Sequence, residues 1–345
     1  MNLPDKMKAA VLYAPLDVRV EDVPIPELGP NDVIIRVDTI GICPSDVKNY
    51  IRTDKKVWFP YGKGGYGLSG HEFSGMVTAV GSKVSNVAEG DLVVPEIMYP
   101  CGRCKFCRRG LTNLCSNKEH LNHGYAEYAR VDAKYLFHVP DSVTPKQAAF
   151  TEPLAVVLHT NDVIKPRPAD TVLIVGSGPM GLLHLMVSKL SGARVIVSEI
   201  NEERLKVAKE LGADVTVNPA KDDMVSEIKR ITEYGADAVI VTIGNRAAIE
   251  SGISAAGPAS TIAIFASAYP DISISINPNI IHWNEFKITG SYEHMPYDMI
   301  RALELMANKK IDPMKIVTGK FTLDSIKEAL DYVKDNKGLK AQVSP

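Results

Sequence analysis

A chain of 345 residues is longer than one compact core fills, so two domains are expected. Its 39 basic and 41 acidic residues leave a net charge of −2 with no polybasic block, which argues against a phosphate-driven nucleic-acid binder. Hydrophobic content of 45% is ordinary for a globular protein, no apolar run reaches the ~20 residues that span a bilayer, and Met1-Asn-Leu-Pro-Asp-Lys carries no secretory pattern, so no membrane partner is expected.

The first 150 residues alternate apolar and polar positions as strands do. Lys8-Ala-Ala-Val-Leu-Tyr, Val18-Arg-Val-Glu and Asp32-Val-Ile-Ile-Arg-Val-Asp are separated by Pro24, Pro26, Gly29 and Pro30. Short strands continue over 73–81, at Gly90-Asp-Leu-Val-Val and at Ala126-Glu-Tyr-Ala-Arg-Val. The pattern predicts an all-β region, a small barrel, followed by a helix over 145–163.

A cysteine-rich loop interrupts these strands. Cys101-Gly-Arg-Cys104-Lys-Phe-Cys107 contains two C-x-x-C steps that share Cys104, and seven residues separate Cys107 from Cys115. Four thiolates so spaced can close a tetrahedron around one metal ion. Soft sulfur ligands in a closed set point to structural zinc, over about 99–116, rather than to a redox dithiol or disulfides. Thiolate ligands need a reducing compartment, so the cytoplasm is expected.

The character changes near Asp170. Thr171-Val-Leu-Ile-Val is an unbroken apolar run, as in a strand buried on both faces. Arg194-Val-Ile-Val-Ser, Asp214-Val-Thr-Val, Ala236-Asp-Ala-Val-Ile-Val and Ser260-Thr-Ile-Ala-Ile-Phe follow, with helical spacing between them, including a helix over 202–211 ended by Gly212. That rhythm means βαβ units and a parallel sheet. Lys287-Ile-Thr-Gly is its expected last strand, and 297–308 and 324–335 read as amphipathic helices.

Gly176-Ser-Gly178-Pro179-Met180-Gly181 stands between the first buried strand and its helix, the context that gives a G-x-G-x-x-G meaning. Gly176 permits a tight turn, Gly178 lets the backbone approach a pyrophosphate, and Gly181 lets helix and strand pack closely. Amides at the helix start, that of Met180 included, would face the anion. Pro179 has no amide but presets a helical φ. Eighteen residues past Gly181 comes Glu199. A carboxylate there accepts from ribose hydroxyls and repels a 2′-phosphate, so NAD is expected over NADP; the bland alternative is a solvated charge. Arg204 would contact the adenosine or serve only as a surface charge.

The four loop cysteines leave Cys43 alone. It lies just after a strand in Gly41-Ile-Cys43-Pro-Ser45-Asp46. Gly70-His71-Glu72 offers an imidazole beside a carboxylate, and Glu152 another carboxylate at a helix start. One Cys, one His and a choice of two Glu make a mixed site with room for water or substrate, as catalytic zinc requires. Taken singly, each residue is better explained by a buried thiol or a core histidine; the combination carries the case.

Six segments stand in the order found in zinc-containing medium-chain dehydrogenases, on the polyol (sorbitol-type) and threonine dehydrogenase branch. They are Gly-Ile-Cys43-x-Ser-Asp46, Gly70-His71-Glu72-Phe-Ser-Gly75, the loop ending Asn113-Leu-Cys115, Gly124-Tyr-Ala-Glu-Tyr128, Glu152-Pro-Leu-Ala155 and Val175-Gly-x-Gly-Pro-x-Gly181. The chain resembles that family over its whole length. The resemblance implies an α/β protein: a GroES-like β-rich catalytic domain over 1–155, a Rossmann doubly wound parallel-sheet domain over 156–290 that binds NAD, and a return to the catalytic domain over 291–345. It implies two zinc ions per chain. Cys43 and His71 would be ligands of the catalytic one. Glu72 would be the third ligand or a neighbour that exchanges, and Glu152 would contact the metal or its water. Ser45 would relay the substrate proton, and Asp46 would orient His71. A homodimer or homotetramer is implied as well.

The chain departs from the family at several points. Lys48 stands where many members end the relay with a His; it would transfer a proton, grip an anionic substrate group, or be solvated. Pro44 replaces the usual Gly and stiffens the turn. The aromatic, glycine-rich stretch 57–66 is a pocket wall or a packing loop. Glu293 and His294 stand where sorbitol-type enzymes often present an Arg. His120 and His123 are loop histidines or, less simply, a further metal site. The expected function is hydride transfer from a secondary alcohol of a polyol, sugar or cyclitol to NAD, a small-molecule reaction. The alternatives are oxidation of an amino alcohol as in L-threonine 3-dehydrogenases, and a non-catalytic nucleotide-binding scaffold with structural zinc only.

Overall fold

The computed structural model describes residues 3–52, 62, 68–121 and 123–345; apart from Gly62, the stretch 57–66 lies outside the described residues. Packing divides the chain into two compact units, Met1–Ala155 with Met295–Pro345, and Val156–His294.

In the first unit the strand Asp32–Gly41 is central. Its Val33, Ile34, Ile35 and Ile40 are fully buried, each removing apolar surface worth about 1.5–3 kcal/mol. Seven strands form one sheet, in the hydrogen-bonded order Val317–Thr322, Lys340–Ser344, Asp32–Gly41, Glu72–Val80, Leu92–Pro95 and Leu136–His138, with Tyr128–Asp132 also on Asp32–Gly41. Lys6–Ala14 and Asp17–Pro24 make a separate antiparallel hairpin. The last strand runs antiparallel to Asp32–Gly41, pairing Gln342 with Gly41 and Val343 with Ile40. Ala341 and Val343 are buried in the same core as Ile35, Phe73 and Val77. The final residues thereby reach the strand that leads to Cys43.

The single helix expected over 145–163 is instead two, Pro145–Ala148 and Thr151–Ile164. Thr144 caps the first, its Oγ1 accepting from Gln147 N at 3.3 Å. The Thr151 hydroxyl donates to the Ala148 carbonyl at 2.6 Å, a local bond that competes with the helical ladder. Ala148, Ala149 and Phe150 are all buried at this break, so packing overrides a continuous apolar pattern.

The second unit is built on a six-stranded parallel sheet. In space the order is Val215–Val217, Arg194–Ser198, Thr171–Val175, Ala236–Val241, Ala256–Ile264 and Lys287–Gly290. Numbered within the unit this is 3-2-1-4-5-6, the doubly wound Rossmann order. The strand order reverses between Thr171–Val175 and Ala236–Val241, where ligands of such sheets bind beyond the carboxyl ends. The glycine turn stands at that point.

The helix Pro179–Leu190 carries His184, 1% exposed and edge-on to Phe265 with ring centroids 4.6 Å apart. Among the described residues its Nε2 has no hydrogen-bond partner. Burial pushes this imidazole down to about 3. Above the ordinary histidine value near 6.5 the group is neutral in both folded and unfolded chains and contributes nothing to pH dependence. Below it only the unfolded chain takes up the proton, so stability falls by about 1.4 kcal/mol per pH unit until the folded value is reached. His184→Leu is therefore expected to recover roughly 2 kcal/mol of the stability that the wild type loses between pH 6.5 and 4.5. Urea unfolding at the two pH values measures this, and an unchanged acid limb would show that His184 does not contribute.

Candidate active site and metal centres

The sheet of the first unit brings Cys43, His71 and Glu72 together. One ligand atom from each lies within 4.8 Å of the others. Cys43 follows the strand Asp32–Gly41 and precedes the helix Pro44–Ile51, with Pro44 at the first helical position, where its missing N–H costs nothing. Glu72 opens the neighbouring strand, directly across from Gly41. Sulfur, nitrogen and oxygen donors on three short tethers are a set that zinc accepts. Burial pushes the Cys43 thiol well up, and the charges of Glu72 and Asp46 add to it, while Lys340 acts the other way. Such a thiol loses its proton only where a cation offsets the surrounding carboxylates, as a metal bound there would. Glu152, buried in the first turn of Thr151–Ile164, also acts on that thiol by its charge. It is Glu72, not Glu152, that completes the close group.

Asp46 is fully buried and braces the backbone around this group. Its Oδ1 accepts from Ser69 N at 3.1 Å and Gly70 N at 3.4 Å. Its Oδ2 accepts from the Tyr125 hydroxyl at 2.9 Å and from Cys43 N at 3.4 Å. Amides from both ligand-bearing segments thus converge on one carboxylate, which compensates the burial of its charge. Burial and the nearby carboxylates, Asp46 first among them, hold the Tyr125 phenol well above its usual range, so it remains a donor. Ser69 Oγ lies 3.0 Å from His71 Nδ1.

Lys340 was invisible to local sequence patterns. Its Nζ pairs with Glu72 Oε2 and donates to the Ile42 carbonyl at 3.0 Å. Burial works against this ammonium, yet its neighbours, Glu72 foremost, outweigh it and hold the lysine above its usual range. Tyr125 and Ser69 were equally unassigned, although Tyr125 lies inside the segment Gly124-Tyr-Ala-Glu-Tyr128.

The four loop cysteines form a second group, all sulfurs within 4.8 Å of one another and none in a disulfide. Sulfurs about 2.3 Å from a tetrahedral zinc stand roughly 3.8 Å apart. Cys104 Sγ lies 3.5 Å from that of Cys107 and 3.8 Å from that of Cys115. Cys107 N donates to Cys104 Sγ and Cys101 N to Cys115 Sγ, at 3.5 and 3.4 Å. Amide donors, that of Cys107 foremost, bring the Cys104 thiol down to about 6, and burial pushes Cys107 up to about 12. The amide aimed at Cys104 favours thiolate there, and with four sulfurs this close the group fits a closed metal site.

In the second unit the glycine turn joins the strand Thr171–Val175 to the helix Pro179–Leu190. Gly176 takes φ +101°, open to glycine almost alone, and donates to the Ser198 carbonyl at 2.7 Å. A Cβ on Gly181 would collide with the Gly176 carbonyl oxygen, whereas one on Gly178 would meet nothing within 4 Å. Gly178 thus presents bare backbone to open space at the start of the helix Pro179–Leu190, where Met180 follows. Glu199 is 6% exposed rather than solvated. Its Oε2 accepts from Ser177 N at 3.0 Å, and its Oε1 from Ile200 N and Asn201 N at 2.9 and 3.1 Å. The carboxylate ties the glycine turn to the end of the next strand. Arg204 is half-buried in the first turn of Glu202–Glu210.

Ser45 and Lys48 are half-buried on the helix Pro44–Ile51, three residues apart and so on one face. Glu293 has a left-handed backbone, φ +59°, and His294 is fully buried. His120 is exposed and His123 half-buried, and among the described residues neither joins a metal-capable group.

Residues 29–141 match the family model of the alcohol dehydrogenase GroES-like domain, and 179–308 that of the zinc-binding dehydrogenase. The whole chain is 31% identical to 99% of the sorbitol dehydrogenase of Bacillus subtilis (strain 168). Over 96% of its length it is 32% identical to 97% of the L-threonine 3-dehydrogenase of Pyrococcus abyssi (strain GE5 / Orsay). The crystal structure of 2R,3R-butanediol dehydrogenase from Bacillus subtilis superposes with a TM-score of 0.88 at 31% identity, covering 98% of this chain and 99% of that one. An NADP-bound structure of the zinc-binding dehydrogenase type, from Sinorhizobium meliloti 1021, does so at 0.91 and 30% identity, covering 99% and 100%. No helix of the described residues is long and apolar enough to cross a membrane. With a GroES-like domain, a Rossmann sheet and full-length likeness to polyol and threonine dehydrogenases, the chain belongs to the zinc-containing medium-chain dehydrogenases, oxidoreductases that act on CH–OH groups.

Proposed function

We propose that this enzyme oxidises a secondary alcohol of a polyol, sugar or cyclitol with NAD, at a zinc centre made by Cys43, His71 and Glu72 with Glu152 beside it. The observation that supports this most is the close grouping of Cys43, His71 and Glu72, since a nucleotide-binding scaffold needs no such donor set. A second zinc in the loop of Cys101, Cys104, Cys107 and Cys115 braces the fold and takes no part in the reaction.

Zinc in the open site supplies Lewis acidity that lowers the pKa of the substrate hydroxyl, and the nicotinamide accepts the hydride. The remaining work falls to the chain. Asp46 holds the Ser69–Gly70 and Cys43 amides in register, so the donor set is organised before substrate arrives. An imidazole engaged at Nδ1 by Ser69 presents Nε2 to a metal. Ser45 Oγ takes the hydroxyl proton and passes its own outward. Lys48, on the same face, either carries that proton on or grips an anionic group of the substrate.

In the other unit, Gly176, Gly178 and Gly181 seat the pyrophosphate with the Met180 amide facing it, Pro179 sets the start of the helix, and Arg204 flanks the adenosine. Glu199, fixed by three backbone amides, places a negative charge where a 2′-phosphate would sit, which favours NAD. The family resemblance extends the proposal to a homodimer or homotetramer in the cytoplasm, where loop thiolates stay reduced. Likeness to the Pyrococcus abyssi enzyme supports a second reading, oxidation of an amino alcohol such as L-threonine.

Metal analysis is expected to find two zinc ions per chain. Cys43→Ala should lose one of them and roughly a thousand-fold in kcat/KM, with the fold retained. Cys104→Ser should lose the other and lower the thermal midpoint by roughly 10 °C. A zinc count that Cys43→Ala leaves unchanged sinks the catalytic assignment. In a panel of polyols, polyol phosphates and amino acids read by nicotinamide reduction, a polyol is expected to lead, with NAD at least about ten-fold better than NADP. A lead by L-threonine decides for the second reading, and a loss in Lys48→Met confined to phosphorylated substrates assigns Lys48 to substrate binding.

A further inference from the structure

Lys340 is placed with more care than a structural lysine needs. Its side chain is 4% exposed and that of its partner Glu72 2%. It arrives on the last strand, donates to the carbonyl of Ile42 next to Cys43, and pairs with Glu72 on the far side of the strand Asp32–Gly41. Room for the pair comes from Gly41, where a Cβ would strike Glu72 Oε2 and crowd Lys340 Cε. Three neighbouring strands are thus shaped to seat one ammonium against a carboxylate of the metal-capable group.

A buried carboxylate needs a counter-charge. A divalent cation on Cys43, His71 and Glu72 supplies one, and Lys340 supplies another. Two cations that neutralise the same carboxylate compete for it.

We propose that Lys340 is a positioning residue, an internal counter-cation that holds Glu72 Oε2 and competes with the bound metal for that carboxylate. It keeps Glu72 in place when the metal leaves. It leaves one Glu72 oxygen for the metal, and so makes the metal more readily exchanged. The proposal rests on the zinc reading given above.

The test is the zinc affinity of the Cys43 centre, by chelator competition, in wild type, Lys340→Met and Lys340→Arg, with the four-cysteine site as internal reference. The Met variant is expected to bind zinc there about ten-fold more tightly. Its metal-free form should melt below wild type, and zinc should close most of that gap. Arg should restore both properties toward wild type, and the reference site should not change. Equal or weaker zinc binding in the Met variant, with the melting deficit the same in loaded and metal-free protein, overturns the proposal. Should metal-free Lys340→Met not fold, zinc is expected to rescue it and the double variant Glu72→Gln/Lys340→Met to fold without zinc; failure of zinc to rescue is equally contrary. A wild-type chain that binds one zinc, retained in Cys43→Ala, removes the zinc reading itself and is recognised by metal count alone.

Discussion

The candidate site depends on the register of three strands. Gly41 is paired with Gln342 on one side and with Glu72 on the other. That alignment delivers Glu72 and Lys340 to the stretch just before Cys43, and the buried side chains around Ile40, Phe73 and Val343 hold it there. A slip of one residue in either ladder would turn Glu72 or Lys340 to the opposite face of the sheet. The site is therefore held by ordinary hydrophobic burial acting through hydrogen-bonded pairing, and the last strand of the chain is part of that pairing.

Buried carboxylates serve both units in the same way. Asp46 gathers the amides of Ser69, Gly70 and Cys43, and Glu199 gathers those of Ser177, Ile200 and Asn201. An ionised carboxylate that accepts several N–H bonds makes stronger bonds than a neutral acceptor, and it offers about four acceptor sites. It can pin a loop and still face a ligand. In both places the residue expected to touch a ligand, or a ligand's histidine, is also the brace of the loop that presents the site. Rigid presentation of this kind matters to a reaction in which small displacements of reacting groups are costly.

The four-cysteine group and the Cys43 group differ in how they are assembled. The four-cysteine group is local: a short helix, Lys105–Arg108, and turn amides aim sulfur at sulfur within one loop. The Cys43 group is assembled from separate segments whose positions only the sheet defines, and its donors are mixed. A local, all-sulfur, closed site suits bracing; a distributed, mixed site suits exchange of an external ligand.

The same distinction sets what could be read without coordinates. The cysteine spacing, the glycine turn, the buried run Thr171–Val175 and the strand–helix rhythm after it are all local regularities, and local geometry follows from periods of 2 and 3.6 residues and from the φ that glycine alone tolerates. They determined the two-part α/β plan and the cysteine loop, whereas Cys43, His71, Glu72 and Glu152 stood out as candidate ligands through their combination of residue types and the family resemblance. The tertiary structure alone decided that Glu72 rather than Glu152 completes the close group, that Tyr125 and Ser69 support Asp46 and His71, and that the helix over 145–163 breaks before Thr151. Lys340 belongs here too: no periodicity links the end of the chain to Glu72, because their meeting is a matter of which strand lies beside which, and that is settled by burial of the whole sheet rather than by any neighbouring residue.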